Sequence, residues 1–565
     1  MPKRACWFVG CLLVMLVVPP PAVRGAGSEP PMAATRPAAE WVPDAATLTG
    51  VSASELRELV ERYAADRANL LRFFSVPYST QRRERMSAFY RAWLARLDEI
   101  PFEPLGLEGR IDWVLLRNQL HYELRLLARE EARLKEMSAV VPFADTIARL
   151  QESRRLLEPV DAPAAAATVQ RLADDVERIR KGIEAGLERD QRSDERSESG
   201  NGARGRRRND NGRTAPFPVP SKIVALRAAE TISMLKRTLD DWFAHYDGYD
   251  PQFGWWVRAP HGRATKALDE YARMLRERVV GTKPGEDDPI VGDPIGRQAL
   301  LEDLEYELIP YSPEELVEIA NREFEWCEAE AKKAAREMGF GDDWKAALEK
   351  VKSLYVEPGR QPLLVRDLAR EAVAFVRRHD LVTVPPLAED AWRMEMMPPE
   401  RQKVNPFFLG GEVVRVSYPT DTMGYDEKLM SLRANNIHFS RAVVHHELIP
   451  GHHLQQFMND RFHPHRRAFG NTPFWMEGWA LYWEMLLWDL GFPQTPEDRI
   501  GFLFWRMHRC ARIIFSLSFH LGTMTPQEAI DMLVDRVGHE RDSATGEVRR
   551  SFNGTYPPLY QAAYM

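Results

Sequence analysis

The stretch AVVHHELIPGHHLQQF, residues 442–457, puts four histidines and one glutamate into nine positions of a chain with only 14 histidines in 565 residues. A common zinc-binding pattern is H-E-x-x-H on a helix: the histidines stand one turn apart and the glutamate serves as base. His446-Glu447 starts that pattern, but Pro450 occupies the place of the second histidine, and the next imidazoles are His452 and His453. On a regular helix His453 would match the azimuth of His446 to about 20° yet lie about 10.5 Å further along the axis. Two ligands so separated cannot both reach one zinc at ~2.1 Å. Pro450 also deletes the hydrogen bond to the His446 carbonyl, and Gly451 tolerates dihedrals closed to other residues. The expectation is a helix that bulges or breaks at this point, with His452 or His453 as the second ligand.

A catalytic zinc takes three protein ligands and keeps one position open for water. A further, unligated glutamate can accept that water's proton. His446 and the adjacent Glu447 suit this division of labour. The third ligand should come from another helix, and FWMEGWALYWEML, residues 474–486, offers it. Glu477 and Glu484 are embedded there among large apolar residues, and a buried carboxylate is costly unless paired or metal-bound. Seven residues apart, they share a helix face to about 20°. One can bind metal while the other orients a histidine from behind. Trp475, Trp479, Trp483 and Trp488 read as core. Two blander readings compete with the metal site: an acid/base site without metal, and a structural cluster.

The bulk properties are those of an ordinary globular protein, with 44% hydrophobic and 28% charged residues. A net charge of −7 and a pI of about 6.1 give no support to nucleic-acid binding. The basic RGRRR run at 204–208 is the one local exception. Residues 1–25 read as a cleavable signal peptide: a positive start, an apolar run, three prolines and small residues, with cleavage after Gly25. The alternative, a membrane anchor, is disfavoured because the run is short and Pro19 to Pro21 end it. FVGC at 8–11 faintly resembles a lipoprotein box, but no apolar segment of sufficient length precedes Cys11. No later segment reads as membrane-spanning, so the expectation is a secreted or periplasmic protein without stable membrane insertion. Cys327 and Cys510 remain after cleavage, and sequence does not say whether they meet.

The rest of the chain reads as a mostly α-helical domain over 51–565, reached through a linker at 26–50. Helical grammar is clear at 52–74 (Ser52 with Glu55 as a capping box), 111–137, 312–339 (Ser312 with Glu315, then Gly339 as stop) and 525–538. Residues 189–214 hold no apolar side chain except Ala203 and read as a disordered insertion. Alternating apolar residues on both sides of Gly410-Gly411, within 405–422, predict a β hairpin just upstream of the histidines. Such a strand can pair with substrate backbone or merely cover the core.

HHELIPGHHLQ followed by FWMEGWALYWE resembles the large bacterial family catalogued as domain of unknown function 885. That resemblance covers most of the mature chain. It implies a mostly helical fold with a deep cleft, similar to zinc metallopeptidases such as Taq-type carboxypeptidases, the oligopeptidases and angiotensin-converting enzyme. Those enzymes carry H-E-x-G-H, and HELIPGH has the same His-Glu start and Gly-His end with two residues more. If Ile449-Pro450 are looped out, His452 falls on the ligand position and His453 points aside, as an oxyanion donor or behind a ligand. MEGWALYWE is similar to the N-E-G-F-A segment of zinc aminopeptidases, whose glutamate binds zinc; that role falls on Glu477. The implied centre is one Zn2+ per chain held by His446, His452 and Glu477, with Glu447 as general base. Oxyanion donors are sought in the C-terminal segment: Tyr560, Tyr564, His520 and Arg512. RCARIIFSLSFH, residues 509–520, has Ser516 where the family usually has Asp, which puts some local function in doubt. The chain stops at YQAAYM within a helical pattern, as a truncated product would. The implied activity is a secreted zinc hydrolase, a peptidase acting on peptide or small amide substrates. The alternatives are a zinc amidase or esterase, and a non-catalytic binding protein that kept the cleft; Glu447 argues against the last.

Overall fold

The computed structural model describes residues 36–44, 53–198, 217–283, 288–402, 410–552 and 556–564. Its chain is mostly α-helical, as the periodicity predicts, and among the described residues no helix is long and apolar enough to cross a membrane. Helices α1 (Arg57–Phe73), α2 (Thr80–Asp98) and α3 (Leu107–Met137) close around Tyr63, Met86, Tyr90 and Leu116. A second core, around Val176, Leu235, Trp242 and Phe253, is shared by α4 (Ala144–Arg155), α5 (Ala162–Glu198), α6 (Lys222–Tyr246) and α7 (Pro251–Met274). Short α8 (Gly296–Tyr306) then leads into α9 (Pro313–Glu337), α10 (Trp344–Lys352) and α11 (Gln361–Arg378).

The remaining elements complete the third core, which positions the site. They are α12 (Pro386–Ala391), β1 (Arg393–Met396), the single turn α13 (Pro399–Gln402), β2 (Val413–Val416) and α14 (Tyr425–Ala434). Then come α15 (Ile437–Glu447), α16 (His452–Asn459), α17 (Pro473–Asp489), α18 (Pro496–His520), α19 (Pro526–Met532) and α20 (Arg541–Phe552). Phe324, Val365, Phe439, Val444 and Phe515 meet in this core. Each such side chain contributes about 1.5–3 kcal/mol by leaving water. The capping boxes at Ser312/Glu315 and Thr525/Glu528 form, and a third at Thr495/Asp498 starts α18. α18 is buried almost all round, as expected of an apolar helix at the centre of a domain. It therefore carries any polar residue it holds into the interior.

Three expectations need correction. Among the described residues the pairing of β2 is not that of a hairpin at Gly410-Gly411: it pairs in parallel with β1, Arg393 opposite Val413, so this partner lies upstream of α13. The other arm, 405–409, lies outside the described residues. Apolar alternation marks a strand but not its partner; Val414 and Val416 are buried while the residues between are not. The insertion at 189–214 is helical at its start, because α5 runs on to Glu198, and 199–214 lie outside the described residues. The described part of the linker is docked: Arg36 pairs with Glu389 at 2.9 Å, and Trp41 Nε1 donates to Asp390 Oδ2 at 2.9 Å, both on α12. Finally, Ser52 of the expected capping box lies outside the described residues, and Glu55 Oε1 accepts from Gly106 N at 2.8 Å, ahead of α3. Residues 1–25, the expected signal, also lie outside the described residues. Cys327 and Cys510 meet across the α9–α18 contact as free thiols.

Candidate metal centre

The site begins with a cap. Asn436 accepts from the backbone N–H groups of His438 and Phe439 and starts α15. Phe439, Val443 and Val444 fix its buried face in the third core, which leaves His446 pointing inward on the last turn. The helix stops at Glu447, since Leu448 has φ −107° and ψ −101°. Gly451 N then donates to His445 O at 3.0 Å, and α16 restarts at His452. The turn is tight: a Cβ on Gly451 would stand 1.7 Å from the His446 carbonyl oxygen, so only glycine fits. Trp479 Nε1 holds the break by donating to Pro450 O at 2.9 Å. By this device the His446 and His452 rings lie 4.7 Å apart, nearly perpendicular.

α17 supplies the third group. Glu477 Oε2 stands 3.4 Å from His446 Nε2 and 3.5 Å from His452 Nε2. Donors at ~2.1 Å in a tetrahedron stand roughly 3.4 Å apart. All three residues are buried, and their ligand atoms lie within 4.8 Å of one another. Among the described residues Glu477 Oε2 has no hydrogen-bond partner, although its atom is out of contact with solvent. An unpaired buried carboxylate oxygen facing two imidazole nitrogens fits a cation between them. Two histidines and a glutamate also match a catalytic zinc donor set.

Behind these three, each has support. Glu484, one heptad along α17, takes His446 Nδ1 at 2.6 Å, and Arg509 Nη2 on α18 pairs with the same oxygen at 2.5 Å. This carboxylate fixes the ring so that Nε2 faces the cluster. Tyr560 O–H donates to Glu477 Oε1 at 2.6 Å. Burial pulls the His446 pKa down, yet the Glu477 and Glu484 carboxylates beside it hold it up at about 9. Burial likewise opposes ionisation of Glu477, but His452 and His446 win and keep it well below the usual carboxylate range. The cluster thus favours positive charge at its centre. Glu447 differs: burial raises its pKa, which suits a proton acceptor working near neutrality. Gly410 passes directly over it, where a Cβ would meet Glu447 Oε2 at 1.8 Å.

Cluster and base open on a cavity of about 270 Å3, lined also by Tyr560, Tyr564 and Arg512. The Tyr564 ring lies 6.4 Å from that of His446, near parallel. Two candidates are not brought here. His453 faces α12, its Nε2 2.7 Å from Ala388 O, because α16 turns the neighbour of an inward residue about 100° away. His520 sits about two turns beyond Arg512 on α18, packed beside Phe519. Burial lowers its pKa to about 4, with Asp293 and Arg133 as its charged neighbours. Ser516 spends its hydroxyl on Pro558 O at 3.2 Å, tying α18 to the C-terminal segment. Sequence reasoning missed Arg509, Arg550 and Tyr556, which also line the cavity. The signal for Arg509 was present: an arginine three residues before Arg512 in an otherwise apolar run.

The family described as bacterial protein of unknown function (DUF885) matches residues 75–560. The chain belongs to that family. Among solved structures, "a putative lipoprotein of unknown function" from Shewanella oneidensis is similar, at 18% identity and TM-score 0.59, over 91% of this chain and 92% of that one. A second, "the putative lipoprotein from Colwellia psychrerythraea", matches at 14% identity and TM-score 0.52, over 90% of each chain. At these identities the likeness shows the fold alone. No curated protein matches the chain.

Proposed function

We propose that this member of a family without an established activity is a zinc-dependent hydrolase of peptide bonds. The observation that carries the reading is the convergence of His446 Nε2, His452 Nε2 and Glu477 Oε2 beside Glu447, in a cavity of about 270 Å3. Held by those three residues, zinc would supply a Lewis acid for the scissile carbonyl and lower the pKa of a water toward ~7. Glu447 accepts the proton of the attacking water and passes it to the leaving amine. The water oxygen joins the carbonyl carbon and the C–N bond breaks, so the step balances without another reactant. Glu484 keeps His446 in one tautomer. The Tyr564 hydroxyl is the donor available for the oxyanion, since Tyr560 spends its own on Glu477.

An extracytoplasmic location belongs to the same reading. Residues 1–25 read as an export signal, and both similar structures are described as lipoproteins. The deciding test is metal analysis of the purified protein joined to Glu447→Gln. Glutamine keeps the shape but accepts no proton. Zinc should stay near one per chain while turnover on a mixed peptide library falls by about 10²-fold or more. Full activity in the variant, or protein purified in the presence of zinc that holds none, would sink the reading. Esters or non-peptide amides cleaved in preference to peptides would replace peptidase with esterase or amidase.

A further inference from the structure

Cys327 and Cys510 have no task in the centre described above. One lies on α9 and the other on α18, and both are buried in the core that positions the site, at 0% and 3% exposure. The two helices run antiparallel. Glu337, the last residue of α9, pairs with Arg499 near the start of α18. Farther along, Arg506 Cζ stands 4.3 Å from the Trp326 ring. Toward the other end, Leu316 and Ala320 share a core with Ile514 and Leu517. Cys327 is ten residues back from Glu337, and Cys510 is eleven on from Arg499. At 1.5 Å of rise per residue the two cysteines stand level to within about 1.5 Å. Their thiols are hydrogen-bonded to each other. One turn on from Cys327 is Ala331, and next to Cys510 is Ala511, both buried. Side chains this small let backbones come close, and Cα atoms of the two helices approach within 8 Å. A disulfide asks for Cα atoms about 4.4–6.8 Å apart.

Thiol–disulfide exchange needs a thiolate and access to it. The folded state offers neither. The hydrogen-bonded Cys510 thiol and burial both push the Cys327 thiol up, so it stays protonated. Oxidation therefore belongs to folding, before α9 and α18 close on each other. An extracytoplasmic compartment is where such a bond forms and persists.

We propose that Cys327 and Cys510 close a disulfide when the chain folds in the presence of a disulfide donor, joining α9 to the helix behind the metal centre. One thiolate attacks a sulfur of the donor to form a mixed disulfide, and the other displaces the donor from it. The Cys327–Cys510 bond forms, the donor's S–S bond breaks, and two electrons and two protons leave with the donor as its dithiol. The bond closes a loop of more than 180 residues. It also sits one residue from Arg509, which pairs with Glu484 behind His446. Where in the cell it forms rests on the export reading above; the pairing itself does not. The test reduces and denatures the full chain, then refolds it with reduced and oxidised glutathione. Free thiols are alkylated in denaturant, and peptides are mapped without reductant. One linked peptide pair carrying Cys327 and Cys510 is expected. The joined protein should favour the folded state about 10²-fold more than the reduced one, the scale for a disulfide closing a long loop, read as a denaturant midpoint that falls on adding reductant. Cys327→Ala should lose the linked pair and the response to reductant. Cys510→Ala repeats the test from the other side, should the first variant fail to fold. Folded protein in which both cysteines are alkylated or capped by glutathione would overturn the inference. So would either one linked to Cys6 or Cys11. The same mapping on protein recovered from outside the cytoplasm separates the two readings. An exported chain with both thiols free overturns the disulfide and keeps the export. A chain held in the cytoplasm sinks the export alone, and the refolding result decides the pairing.

Discussion

The histidine–carboxylate clusters around His446 and His465, fewer than twenty residues apart in sequence, are built differently. In one, the ligand atoms of His446, His452 and Glu477 converge, and Glu477 Oε2 has no hydrogen-bond partner among the described residues. In the other, His463 and His465 face Glu108 and Asp112 of α3, but Arg466 fills the middle. Its Nε donates to Asp112 Oδ1 and its Nη2 to Glu108 Oε2, each at 2.6 Å, while His465 Nε2 meets Asp112 Oδ2 at 2.6 Å. The second cluster is closed by its own guanidinium and docks the loop before α17 onto α3. The first, on the proposed reading, takes its cation from solution. Composition is the same; what separates a metal centre from a structural ion pair is whether the protein supplies the positive charge.

The comparison breaks or holds on measurement. The largest effect should come from His452→Ala against His465→Ala. The first should lower zinc affinity by about three orders of magnitude or more through loss of a ligand; the second should leave it unchanged. Competition titration with a chelator reads both, and zinc retained in His452→Ala would remove the distinction. His453→Ala belongs beside them as a control that keeps its zinc.

Next is Asp112→Ala, which leaves Arg466 and His465 without their shared carboxylate. It should cost about 3 kcal/mol of stability with zinc content intact, seen as a lower denaturant midpoint. A loss of zinc instead would mean that the two clusters are coupled. pH sharpens this further. Burial opposes ionisation of Asp112, but bonds from Ser54, Arg466 and His465 win and hold its pKa below the usual value. A depressed carboxylate contributes stability above the unfolded pKa of about 3.9 and loses it as pH falls through the folded value. The stability gap between wild type and Asp112→Asn should therefore persist at pH 5 and close below about pH 4. A gap unchanged at pH 3 would show that Asp112 acts by shape rather than charge.

The smallest effect is expected from Glu484→Gln. The amide can still accept from His446 Nδ1 but carries no charge, so zinc affinity should fall about 10- to 100-fold. No change would mean that Arg509 and packing alone orient the ring.

Much of this was legible along the chain, and the division follows the range of the forces involved. Helix starts are local: a Ser or Thr with a carboxylate three residues on satisfies its own orphan N–H groups, so Ser312 and Thr525 could be read directly. The break at Pro450-Gly451 was also local, because a missing N–H and a missing Cβ act within one turn. So was the demand that Glu477 and Glu484 find partners, since seven residues fix their shared face. The identity of those partners was not local. That Glu484 holds His446 while Glu477 faces two rings depends on α17 packing across α15 and α16. The strand at 413–416 was visible by alternation, but its partner at 393–396 is a tertiary pairing and not set by the glycines beside it. His520 and Arg512 look equivalent on one apolar helix, yet eight residues of rise carry one toward Asp293 and leave the other in the cavity. The sequence by itself determined which residues had to be buried and which needed a counter-charge. Only the tertiary structure decided that Arg466 closes one cluster while Glu477 Oε2 faces two imidazoles in the other, because burial compels pairing without choosing the partner.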